Sequence, residues 1–120
     1  SPYDYDSDGV VYGKGIYNFN EGNQFIIKNS QDLHSVVLLI NHSGTIIRNE
    51  FVRKGDTFEM TGVPDGRYSL RWISGNNWDP NLKFGNLIGG FQKNMRSDSS
   101  PPNILYDANG SQIIDINIRK

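Results

Sequence analysis

The chain has no cysteine, which excludes disulfide staples, thiol nucleophiles and thiolate metal sites. It also lacks a long apolar run. The longest, Val36–Ile40, falls far short of the ~20 residues that a membrane-spanning helix needs. Helical periodicity is scarce throughout, and no signal peptide is legible. There is no excess of either charge sign: 12 Lys and Arg stand against 13 Asp and Glu, for a net charge of −1. The basic residues are scattered, with Arg48, Arg53, Lys54, Arg67 and Arg71 interleaved among apolar positions. Nucleic acid and anionic membranes, which favour basic residues gathered on one face, are therefore not expected as partners.

What is present is a strand pattern. At 120 residues the chain has room for one core, and its 36% hydrophobic content is that of a folded domain. Apolar residues recur with period two. Strands are expected at 24–29, at 35–41 (apolar on both faces, hence central), at 45–53, and at 57–61 with Phe58 and Met60 inward. Another is expected at 67–73 with Tyr68, Leu70 and Trp72 on one face, and a last one carries Ile114, Ile116 and Ile118. Turns rich in Gly, Asn, Asp and Pro separate them. The expected fold is all-β: one antiparallel sandwich domain of seven to eight strands spanning 1–120. Residues 1–14 read as an N-terminal arm. Residues 74–102, rich in Gly and Asn and carrying Trp78, Phe84 and Phe91, read as a long loop.

One segment carries a resemblance. Val63-Pro-Asp-Gly-Arg-Tyr-Ser-Leu70 resembles the [VIL]-P-x-G-x-Y-x-[LV] signature of transthyretin-like (prealbumin-like) sandwiches, a group that includes carboxypeptidase regulatory-like and collagen-adhesin B-type domains. In that pattern Pro64 and Gly66 shape a turn, and Tyr68 and Leu70 then point into the core. A longer ordered set covers most of the chain: Tyr12–Tyr17, Ile27–Asn29, Val36–Leu39, Ile47–Glu50, the turn signature, and Gly75–Asp79 through Gly89–Phe91. Together these resemble an accessory domain found in the C-terminal parts of larger bacterial proteins, behind J-domains or peptidase domains. The resemblance implies a non-catalytic domain that contacts a protein partner or a neighbouring domain of its parent polypeptide.

Three stretches carry candidate chemistry. Asp4-Tyr-Asp-Ser-Asp-Gly9 spaces three carboxylates as the first half of a calcium loop does. The twelfth position is Gly15 where a bidentate glutamate should stand, and strands replace the flanking helices, so an EF-hand is excluded. A calcium turn built on Asp4, Asp6 and Asp8 would have to recruit a distant carboxylate such as Glu21 or Asp107. Otherwise the run is a solvated arm, and no cofactor is expected.

Trp78, Phe84 and Phe91 lie among Asn76, Asn77, Asp79, Asn81 and Asn86. A flat ring flanked by amides and carboxylates suits a sugar, so Asn76, Asn77, Trp78, Asp79, Phe84 and Phe91 form a candidate glycan site. The alternative is that these rings fold back as a lid on the sandwich. Trp72 shares the phase of Tyr68 and Leu70 and belongs to the core.

Enzyme chemistry is thin. His34 and His42 sit in no motif that would orient them, and Ser43 lacks a nucleophile elbow. The chain is not expected to be an enzyme. A third route to binding is a free sheet edge to which a partner adds a strand. Arg48, Glu50 and Arg53 look like charged guards on one such strand.

Overall fold

The computed structural model describes residues 15–84 and 87–117. They hold eight strands and no helix: β1 Gln24–Lys28, β2 His34–Asn41, β3 Ile46–Val52, β4 Thr57–Thr61, β5 Arg67–Phe84, β6 Leu87–Ser99, β7 Tyr106–Asp107 and β8 Ser111–Asp115. One sheet has the order β4-β1-β8. The other has the order β3-β2-β5-β6, with β7 pairing β5 beside β6. Every pairing is antiparallel except β1–β8, which is parallel.

The two sheets pack face to face because their alternating residues leave each sheet an apolar side. Phe25, Ile27, Met60 and Ile114 from the smaller sheet meet Val37, Leu39, Val52, Leu70 and Trp72 from the larger, all buried in one cluster. Burying side chains of this size contributes about 1.5–3 kcal/mol each, so this cluster dominates the fold. The turn signature does what its residues suggest. Val63, Tyr68 and Leu70 are buried, and the Tyr68 hydroxyl donates to the Pro64 carbonyl at 2.7 Å, tying the turn to the strand that follows it.

β2 is the central strand its composition requires, since Val36 and Leu38 on its other face are buried as deeply as Val37 and Leu39. What covers that second face departs from the sequence reading. Residues 74–84 and 87–99 are not a loop. They are most of a long hairpin in which β5 and β6 stay paired through Asn76↔Lys93, Trp78↔Phe91 and Asp79↔Gly90. The register slips between Ser74 and Asn76 and again between Asp79 and Lys83, and Asn77 and Asn94 take left-handed conformations. Bulges of this kind bend and twist a ribbon. The bend brings the hairpin back over its own sheet: Trp78 touches Phe51 on β3, two strands away across β2. Gly75 sits in the bend, where a Cβ would lie 2.5 Å from the Phe91 Cβ and 2.9 Å from the Lys93 carbonyl oxygen.

A strap, residues 15–19, crosses between the sheets on the flank formed by β3 and β4. The Ile16 amide donates to the Ile47 carbonyl and the Asn18 amide to the Gly62 carbonyl. Gly62 has a positive φ, which favours glycine, and a Cβ there would lie 2.7 Å from the Phe19 ring and displace it. Beneath the strap the buried Arg48 donates to the Thr61 carbonyl at 2.6 Å, linking β3 to β4, while its guanidinium lies 3.6 Å from the Tyr17 ring centroid. Burial pushes the Arg48 pKa down, opposed by Tyr17 and Glu50.

Candidate functional site

The structure brings Trp78 and Phe91 together and turns them inward. They face each other across the hairpin at 5.1 Å between ring centroids, and each packs on Phe51, at 5.2 and 5.9 Å. Phe91 is buried with Val36, Leu38 and Ile73, and Trp78 is half-buried against the same cluster. These two rings therefore act as the anchor of a lid. Phe84 ends β5 opposite Leu87.

The polar members of the candidate glycan set serve the hairpin as well. The Asp79 carboxylate accepts from the Asn81 amide at 2.9 Å and from the Gln92 side-chain amide at 2.9 Å, and these bonds hold its pKa below the ordinary carboxylate value. Asn77 supplies a left-handed residue at the bend, a conformation asparagine tolerates better than most residues, and Asn76 pairs with Lys93.

Asp4, Asp6 and Asp8 lie outside the described residues. The distant carboxylates that a calcium turn would recruit are engaged elsewhere. Glu21 accepts from the Asn18 side-chain amide at 2.6 Å, and Asp107 pairs with Arg67 at 3.0 Å. Among the described residues no three His, Asp or Glu side chains are grouped to hold a metal ion, and no helix is long and apolar enough to cross a membrane.

The two histidines sit at opposite ends of β2, about 25 Å apart at strand rise. His34 accepts a hydrogen bond from the Lys54 amide at 3.1 Å through Nδ1 and packs against Phe51. Burial lowers its pKa, helped by Lys54 and Arg53 and opposed by Asp56. An open depression of about 500 Å³ beside β6 is lined by Arg71, Asp98 and the polar run Ser99–Pro102.

The sheet edges differ more than any pocket does. The β3 edge is covered by the strap at Ile47 and Arg48 and guarded by the exposed Arg53. On β4, Glu59 stands exposed in the middle of the strand, and the adjoining end is tied down by Arg48 and the strap. β6 is bulged, bends away, and carries the exposed Lys93 and Arg96.

Among the described residues β8 has none of these devices. Ser111-Gln-Ile-Ile-Asp115 is unbulged, carries no Lys, Arg or Pro, pairs only with β1 among the described residues, and leaves Ile113 69% exposed at its centre. The connection that leads into β7, and through a tight turn into β8, carries Ile104 and Leu105, 46% and 47% exposed. Sequence reasoning did not single out β8 as a site. The available signal was a short strand whose central outward position is isoleucine and whose only charge lies at its end.

Comparison with protein-family models, with curated proteins and with solved structures finds no match to this chain. What is shown is the class: an all-β protein of two packed sheets.

Proposed function

We propose that this chain is a non-catalytic accessory domain of the transthyretin-like type that works by protein–protein contact, within a larger bacterial protein as the sequence resemblance implies. The observation that carries the contact reading is the unguarded β8 edge. Edge strands offer a row of unpaired backbone groups, and soluble proteins blunt them with charge, proline, bulges or cover. Among the described residues the β3, β4 and β6 edges are blunted and the β8 edge is not. Adding a partner's strand to such an edge is a common mode of recognition, with backbone hydrogen bonds supplying affinity and alternate side chains supplying specificity. The topological type is supported by the buried turn signature around Tyr68 and by the parallel pair β1–β8 within the smaller sheet.

A photo-reactive phenylalanine analogue placed at Ile113, with the same analogue at Glu59 on β4 as control, tests the reading. Irradiation is expected to join the chain to another polypeptide from position 113 and not from 59. Equal yields from the two positions, or none from 113, would overturn it.

A further inference from the structure

Asn109-Gly110 is the one Asn-Gly pair in the sequence. This pairing is the most reactive context for an asparagine, because glycine has no Cβ to obstruct its own nitrogen. In an unconstrained chain the Gly110 nitrogen attacks the Asn109 Cγ and closes a five-membered succinimide. The side-chain nitrogen leaves as ammonia, taking up the proton given up by the Gly110 amide. Water then opens the ring. Attack at the side-chain carbonyl gives aspartate, and attack at the backbone carbonyl gives isoaspartate.

The fold leaves this pair open to water and fixes it by hydrogen bonds. Asn109 and Gly110 are exposed in the turn between β7 and β8, and among the described residues a Cβ at Gly110 would meet no atom within 4 Å. The Gly110 amide donates to the Asn23 side-chain carbonyl at 3.0 Å, and the Gly110 carbonyl accepts from the Gln24 amide at 2.9 Å. On the other side of Asn109, the Ala108 amide donates to the Gly66 carbonyl at 2.9 Å.

Asn23 is itself firmly placed. It is 4% exposed, and its side-chain nitrogen donates to the Val63 carbonyl at 3.2 Å and to the Asp65 carboxylate at 2.8 Å. Those two bonds settle which way the amide points and aim its oxygen at Gly110. An amide oxygen accepts a hydrogen bond but is too weak a base to remove the proton. Ring closure needs that proton lost and the nitrogen swung onto Cγ. It must therefore break the Asn23 bond and move a residue whose carbonyl Gln24 also holds.

We propose that Asn109 is a site of spontaneous deamidation and isomerisation, and that Asn23 is the positioning residue that keeps it unreactive in the folded chain. The reaction proceeds from conformations in which the 108–110 turn has opened locally. The isoaspartyl product routes the backbone through the former side chain and inserts a methylene ahead of Gly110. Residue 110 then no longer sits in register with both Asn23 and Gln24. The Gln24 bond stands at the start of the β1–β8 ladder, where Gln24 lies opposite Ser111. Conversion thus loosens that end of the smaller sheet and adds a negative charge beside it.

Peptide mapping by mass spectrometry during incubation at mildly alkaline pH follows the reaction site by site, with aspartate and isoaspartate separating as isomers of equal mass. Asn109 is expected to convert at least about tenfold more slowly in the native chain than in the chain unfolded in urea. Asn23→Ala should raise the native rate at least about fivefold, the worth of one hydrogen bond, with the circular dichroism spectrum unchanged. Phe91→Ala, which weakens a distant face, should leave that rate within about twofold. Should Asn23→Ala fail to fold, Asp65→Ala takes its place: Asp65 is exposed and acts on Gly110 through Asn23, so a smaller acceleration is expected. Equal rates in the native and unfolded chains overturn the proposal, as does an unfolded chain in which Asn109 stays intact. Acceleration by neither Asn23→Ala nor Asp65→Ala, or equal acceleration by Phe91→Ala, takes the protecting role from Asn23 and overturns it as well.

Discussion

The two faces of the larger sheet are both buried, but by different means. The inner face, with Val37, Leu39, Leu70 and Trp72, is covered by a separate sheet whose strands are far apart in the chain, at 24–28, 57–61 and 111–115. The outer face, with Val36, Leu38, Ile73 and Phe51, is covered by an extension of one of the sheet's own strands folded back on a bulged hinge. Covering the inner face closes long-range contacts and is inseparable from forming the fold. Covering the outer face needs only a local ribbon to bend, so the outer cover can open without taking the sandwich apart.

Trp72→Ala should cause the largest loss, about 3–5 kcal/mol in urea unfolding monitored by circular dichroism, because the site is fully enclosed between sheets. A loss no larger than that of the outer-face variants would erase the distinction between the two covers. Phe91→Ala should cost about 3 kcal/mol and act locally. Amide exchange at Trp78–Asp79 and Gly90–Gln92 should accelerate while protection in β1 and β2 persists, and uniform acceleration across all strands would show that the hairpin is part of the global unit.

Trp78→Ala, at a half-buried ring, should lower stability by about 2 kcal/mol in the same urea assay. A change confined to sugar binding, with the unfolding midpoint unmoved, would favour a glycan platform over an anchor.

The smallest effect concerns His34, which lies at the margin of the outer cluster against Phe51. Its pKa is lowered in the folded chain from the ordinary value of 6.5, so the neutral ring is favoured there. Its contribution is present above the unfolded value and is lost as pH falls through that value toward the folded one. The melting temperature of the native chain should therefore fall more steeply than that of His34→Ala between about pH 7 and 5. Parallel profiles would remove the histidine from the account.

Much of the fold was legible because period-two alternation records which side of a strand meets apolar neighbours. Phe25, Ile27, Met60, Leu70, Trp72 and Ile114 lie inward as their phase requires, and the turn at Pro64 and Gly66 delivers Tyr68 to the core. The hairpin was not legible as strand, since its bulges break the alternation and its Gly and Asn residues have low strand propensity. Gly75, Asn77 and Asn94 read as loop punctuation, yet they are what lets a paired ribbon bend. The aromatic character of Trp78 and Phe91 was visible. Their direction was not, because it depends on a bend whose far side is Phe51 on another strand.

The sequence by itself determined that this chain is an all-β domain with a two-faced central strand, without thiol chemistry, and with a core centred on Trp72. Those properties follow from residue types and local periodicity, which each segment carries alone. Only the tertiary structure decided that the Asn-rich region folds back as a lid, that Arg48 ties two sheets together beneath a strap, and that β8, among the described residues, is an edge paired on one side alone. Each of these depends on which segments become neighbours. An edge in particular is defined by the strand that is not beside it, and no local pattern of residues records that.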